Sequence, residues 1–195
     1  MRKIMFVLAL TLAATTLPAR ARAQSWQREP GVAMGVDGGV AVVTTDSSKL
    51  LSTGVGVLAR GGYEFRNGLT PELAVTFARW GAAASDTDAS EWQLSVMPGL
   101  RWTILGGLIR PWIAAHLGYG RLGIKLQSAQ MGTIDVGQDG FAVNSGAGLD
   151  VMFTPRFGVG AHLLYNKVVT ASDASGRNQE GEEWVTLGAG LALSL

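Results

Sequence analysis

The stretch from Trp184 to Leu195 constrains the fold of this chain more than any other. Val185, Leu187, Ala189, Leu191, Leu193 and Leu195 share one parity, and Thr186, Gly188, Gly190, Ala192 and Ser194 share the other. This is the two-residue period of a β-strand. A soluble sheet sets charged side chains on the face opposite its core, yet here that face carries only small residues and no charge. A strand with lipid on one side and a narrow interior on the other meets both conditions. About ten residues suffice for a tilted strand to cross a bilayer.

The same alternation recurs along the chain. A first strand is expected from about Val32 to Thr44, with Val32, Met34, Val36, Val40 and Val42 outward and Asp37 inward. The second, about Thr53 to Arg66, turns Arg60 and Glu64 inward, and Asn67-Gly68 closes a tight hairpin to a third at about Leu69 to Trp80, with Glu72 inside. The fourth, Trp92 to Thr103, faces Arg101 inward, and its Pro98 implies a bulge or a lost ladder bond. The fifth runs from about Ile109 to Arg121 with His116 inside, followed by a longer loop reaching Asp139. The sixth, about Phe141 to Phe153, points Asp150 inward, and the seventh, Phe157 to Asn166, points His162 inward. Trp184 to Leu195 is the eighth.

An even count returns both termini to one side. Turns near 67, 106 and 155 are short, and those near 48, 86, 130 and 174 are expected to be longer and more polar, as periplasmic turns and extracellular loops are. Outward aromatics give a second register. Tyr63, Phe65, Trp102, Phe153 and Phe157 gather at the short-turn end, and Phe77, Trp92, Tyr119, Phe141 and Tyr165 at the long-loop end, forming two interfacial girdles. Core aromatics of a soluble sandwich would need a solvated opposite face, and that face is too poor in charge. The fold class is therefore all-β, an eight-stranded antiparallel up-and-down transmembrane barrel.

Glycine makes up 27 of the 195 residues, much of it alternating with apolar residues. That usage suits a tightly curled sheet whose interior has little room. At the start, Arg2 and Lys3 precede an apolar run from Ile4 to Leu17, and Ala21-Arg22-Ala23 offers small residues for cleavage. Residues 1–23 are read as a signal peptide and residues 24–195 as the barrel domain. Loss of Arg2, Lys3, Arg20 and Arg22 lowers the formal charge by four, from +1 to −3. No clustered basic face marks a nucleic-acid partner. Cysteine is absent, so stability rests on packing and backbone hydrogen bonds.

The stretch Arg110-Pro111-Trp112-Ile113-Ala114-Ala115-His116-Leu117-Gly118-Tyr119-Gly120, with Asn144-Ser145-Gly146-Ala147-Gly148-Leu149-Asp150 and Thr154-Pro155-Arg156, resembles the eight-stranded outer-membrane barrels of the OmpA-like, OmpX-like and opacity type. The likeness runs from about Gly31 onward. It implies a bacterial outer-membrane location with periplasmic termini, contact with outer-membrane lipids and lipopolysaccharide, insertion by the barrel-assembly machinery and a surface ligand bound through loops. Such proteins commonly end in an aromatic residue, and this chain ends in Leu195.

No residue set points to catalysis, a metal or a cofactor. Gly54-Val55-Gly56 lies in an alternating strand with no following helix to hold phosphate. His116 and His162 are too few for a zinc site and are read as hydrogen-bonded interior residues. Asp37, Arg60, Glu64, Glu72, Arg101 and Asp150, together with the two histidines, are read as a structural charge network. Residue 71 is expected opposite 101, which makes Glu72 and Arg101 neighbours. Three functions follow: a non-enzymatic surface barrel serving envelope integrity, adhesion or partner binding; a small channel; and a lipid A-modifying enzyme, disfavoured because both histidines face inward.

Overall fold

The structure, a computed structural model, describes residues 29–44, 53–81, 88–128, 132–170 and 182–195. The expected leader over residues 1–23 and the loop centres near 48, 86, 130 and 174 lie outside these. Eight strands are present: β1 (Gly31–Val43), β2 (Gly54–Glu64), β3 (Leu69–Gly81), β4 (Asp88–Thr103), β5 (Ile109–Ser128), β6 (Gly132–Met152), β7 (Phe157–Thr170) and β8 (Glu182–Ser194). Each pairs antiparallel with the next, and β1 pairs with β8 from Ala33↔Ser194 to Val43↔Trp184. The sheet closes on itself, as the alternation requires. Val32 and Leu195 complete the seam with reciprocal N–H···O bonds of 2.9 and 2.8 Å, so no sheet edge is left along the barrel wall to need water.

Along the barrel wall the burial of the described residues follows the pleat, and only beyond it do Ile124 and Val136, on the inward parity, become exposed. Between the two girdles, the outward positions of the described residues carry no charged side chain. The ten girdle aromatics all take outward positions, and nine of them are exposed. Trp92 is the partly covered one. Its ring lies on Gly123, its ladder partner on β5, where a Cβ would fall 2.2 Å from Trp92 Cε2.

Four strands, β4 to β7, run longer than expected, β7 reaching Thr170. The segment expected as a loop from 122 to 139 is mostly strand, since β5 continues to Ser128 and β6 begins at Gly132. The connection near 130 is therefore short. Ile124-Lys125-Leu126-Gln127 and Thr133-Ile134-Asp135-Val136 keep the period of two, and the two strands satisfy each other's backbone beyond the membrane band. For the same reason β4 starts at Asp88, pairing with β5 up to Asp88↔Gln127. Pro98 produces a lost ladder position and no bulge: Val96↔Tyr119 and Gly99↔His116 keep one register on either side of it.

The short turns follow local chemistry. Only Gly68, at φ 83°, takes positive φ in the Asn67-Gly68 hairpin. Asn67 contributes otherwise, its side-chain oxygen accepting the Leu69 N–H at 3.0 Å. At the β6–β7 turn Thr154 Oγ1 accepts from Arg156 N and Phe157 N, at 3.2 and 2.9 Å.

Candidate functional site in the barrel interior

The interior of the short-turn half is a connected set of charges. Arg101 Nε donates to Glu72 Oε2 at 3.0 Å, and its Nη1 lies 3.8 Å from Asp150 Oδ2. Arg60 lies between Asp37, at 3.5 Å, and Asp150, at 3.7 Å, with its guanidinium 4.6 Å above the Trp112 ring. Trp112 Nε1 donates to Asp150 Oδ1 at 3.1 Å. His116 joins Glu72 through Nε2 and Asn144 through Nδ1, both at 3.0 Å. Asn144 then donates to Asn166 at 2.6 Å, and Asn166 to Thr186 at 3.2 Å. His162 Nδ1 stands 3.6 Å from Asp37 Oδ1. Glu64 is buried at the short-turn end beside Arg60, Arg101 and Arg110, around the same small space.

All eight residues of the expected network are thus inside and buried. The β3–β4 register pairs Thr70 with Arg101 and Glu72 with Gly99, one residue away from the expected match of 71 with 101. An inward residue must face an inward residue across a ladder, and 71 with 101 would break that parity.

The glycine excess has a steric cause here. Arg60 faces Gly35, His116 faces Gly99, Asp150 faces Gly160, His162 faces Gly188 and Asp37 faces Gly190 on adjoining strands. A Cβ at each of these glycines would come within 2.7 Å of the facing side chain or its backbone. Each charged or aromatic-nitrogen group occupies the room that its cross-strand neighbour gives up. Alternating large and small positions is how a narrow barrel is filled.

The long-loop half is closed differently. Trp80 and Trp184 meet edge to face at 5.4 Å, and Trp80 Nε1 donates to the Ala41 carbonyl at 3.2 Å. Val43, Ala78, Met97, Leu122, Ala142 and Val168 complete an apolar layer around them. Gln93, Ser95 and Thr76 hydrogen-bond one another within the interior. Small spaces of about 10 Å³ beside Asp37 and His162 and about 20 Å³ beside Arg60 and Arg110 remain between these side chains, each large enough for about one water.

Sequence reasoning misses Arg110, Asn166 and the Trp80–Trp184 layer. Parity alone would have found all four, since each continues the inward series of its own strand. Arg110 Nε donates to the Gly107 carbonyl at 3.2 Å, and Gly107 takes φ 115° to close the β4–β5 turn. Among the described residues no group of three or more His, Cys, Asp or Glu is placed to hold a metal ion. Both histidines sit inside, 2% and 4% exposed, so neither reaches the lipid face.

Residues 6–192 match the family described as outer membrane protein beta-barrel domain. No curated protein matches the sequence significantly. In three dimensions the chain is similar to neisserial surface protein A (18% identity, TM-score 0.61), over 86% of this chain and all of the other. It is similar also to Ail, the attachment invasion locus protein of Yersinia pestis (20%, 0.58), over 84% and 99%. A major outer membrane protein of Thermus thermophilus (11%, 0.58) aligns over 86% and 100%. At these identities the likenesses concern the fold, and the family match covers nearly the whole sequence. The chain therefore belongs to the bacterial outer membrane β-barrel family.

Proposed function

We propose that this protein is a non-enzymatic outer-membrane barrel with a closed interior, which contributes to envelope integrity and binds partners at the cell surface through its long-loop end. The observation that carries this reading is the double filling of the interior, by ion pairs in one half and a tryptophan layer in the other. An eight-stranded barrel leaves room for little more than its own side chains. In this reading the short turns and both termini face the periplasm, and the long-loop end faces outward, where recognition on variable loops is placed. The fold likeness to Ail, a protein named for attachment and invasion, favours adhesion among surface roles.

Purified protein in planar bilayers tests the closed interior. The wild type is expected to show no stable conductance, whereas steady ion-selective channels would replace this reading with a pore. Protease added to intact cells tests the orientation: cutting is expected only at the long-loop end, and cutting near Asn67 would reverse it.

A further inference from the structure

We propose that Glu91 and Glu182 form a proton-operated latch on the tryptophan layer: protonated, they let Trp80 and Trp184 close the long-loop mouth, and ionised, they open that layer to water. The latch rests on the closed interior proposed above, because it acts on the outermost layer of the filling.

The geometry sets one glutamate beside each tryptophan. Glu91 on β4 is the ladder partner of Trp80 on β3, and the Cβ atoms of such a pair lie about 5 Å apart. Glu182 precedes Trp184 by two residues on β8, so the two share the inward parity, with Glu182 nearer the mouth. β4 and β8 are four strands apart in a closed ring of eight, which puts them on opposite walls. The Trp80–Trp184 contact, at 5.4 Å, therefore crosses the lumen between walls that each carry one of the two carboxyl groups.

Glu91 is 7% exposed, and among the described residues no cation is placed against it on the inward side. Its ladder neighbours are Trp80 and Ile124. Arg79, Asp88, Lys125, Asp135, Lys167 and Glu183 hold outward positions on the strands around the mouth. The inward cations Arg60, Arg101 and Arg110 belong to the other half of the barrel. Glu91 lies one residue past the Trp92 girdle, outside the membrane-spanning part of β4, and burial together with the Glu182 charge pushes its carboxyl up to about 7.

An ionised carboxylate away from water needs a partner, and water is the one the mouth can supply. Water reaches Glu91 once the Trp80 ring beside it turns away, giving up its hydrogen bond to the Ala41 carbonyl (3.2 Å) and its contact with Trp184. The closed layer holds this proton more tightly than the open one does, so closure is strongest at acid pH and weakens as pH rises to about 7. The charged half stays filled throughout, so opening hydrates the mouth without making a pore.

The test follows the Trp80 indole N–H by NMR of the full protein in lipid nanodiscs, the resonance being assigned by its loss in Trp80→Phe. Its exchange with water, divided by that of free N-acetyltryptophanamide at the same pH, is expected to rise on the order of tenfold between about pH 5 and about pH 8 in the wild type. The Trp112 indole N–H, bonded to Asp150 in the charged half, is the internal control and should show no such rise. Glu91→Gln should abolish the rise, and Glu182→Gln, which removes the repulsion and leaves the burial, should make it smaller. A wild type without the rise, an equal rise at Trp112, or a rise that persists in Glu91→Gln would each overturn the proposal. Conductance of the same samples is read separately. Steady channels at about pH 5 with the Trp80 N–H protected would sink the closed interior, whereas a silent bilayer with Trp80 protected at every pH would sink the latch alone.

Discussion

The two halves of the barrel interior solve one filling problem with opposite chemistry. In the short-turn half, Glu72, Asp150 and Asp37 each stand against a guanidinium, and the facing wall is reduced to glycine. In the long-loop half, Trp80 and Trp184 pack into Val43, Leu122 and Val168 with no ion pair among them. The apolar layer is stabilised by area and fit, which are additive to a first approximation. The charged layer is stabilised only as a set, because removing one member strands another away from water. The comparison therefore predicts different responses to mutation in the same barrel.

The largest effect is expected in the apolar half. Trp80→Ala empties a large volume, removes the edge-to-face partner of Trp184 and frees the Ala41 carbonyl. The expected cost is about 4 kcal/mol, measured by urea unfolding in lipid vesicles. Trp80→Phe should restore most of it. If Trp80→Ala is instead tolerated and the variant conducts ions while the wild type does not, the layer is a gate and its packing contributes little to stability.

The charged half is expected to respond next. Glu72→Leu or Arg101→Met alone leaves a buried charge without its 3.0 Å partner and should cost about 3 kcal/mol. The double variant should recover much of that. Recovery will be partial, because His116 Nε2 also loses its acceptor on Glu72. Additive, near-zero effects would mean that the lumen is hydrated, and the contrast between the two halves would collapse.

How much of this can be read from sequence depends on which link carries the information. Parity follows from the pleat, so the eight residues of the network, from Asp37 to His162, are placed by counting, whereas Arg110 and Glu91 share the inward parity and are passed over. Hairpin register is less secure: counting makes Glu72 and Arg101 neighbours, but through a pairing one residue out, because turn length enters the register directly and only parity corrects it. The lengths of β5 and β6 are not legible, since Lys125, Gln127 and Asp135 look like loop residues until the partner strand is known. Pairing decides there against composition. The Trp80–Trp184 layer escapes for a different reason: Trp at a strand end reads equally well as a girdle residue, and only its parity separates the two.

The smallest effect separates the halves by pH. Glu91 is the ladder partner of Trp80 and lies one residue past the Trp92 girdle, outside the membrane-spanning part of β4. Burial, with repulsion from Glu182 added, pushes its pKa up from 4.5 to about 7. A raised pKa means that the folded state holds this proton more tightly than the unfolded chain does. The stability it lends is therefore complete below pH 4.5 and is lost as pH rises to about 7. Thermal unfolding of the wild type should show the midpoint falling across that window, by an amount that solvent at the barrel mouth keeps modest. Glu91→Gln, which mimics the protonated form, should flatten the profile and raise the midpoint above the window while leaving it unchanged at acid pH. A profile that stays the same in Glu91→Gln would overturn the assignment of the pH response to this residue.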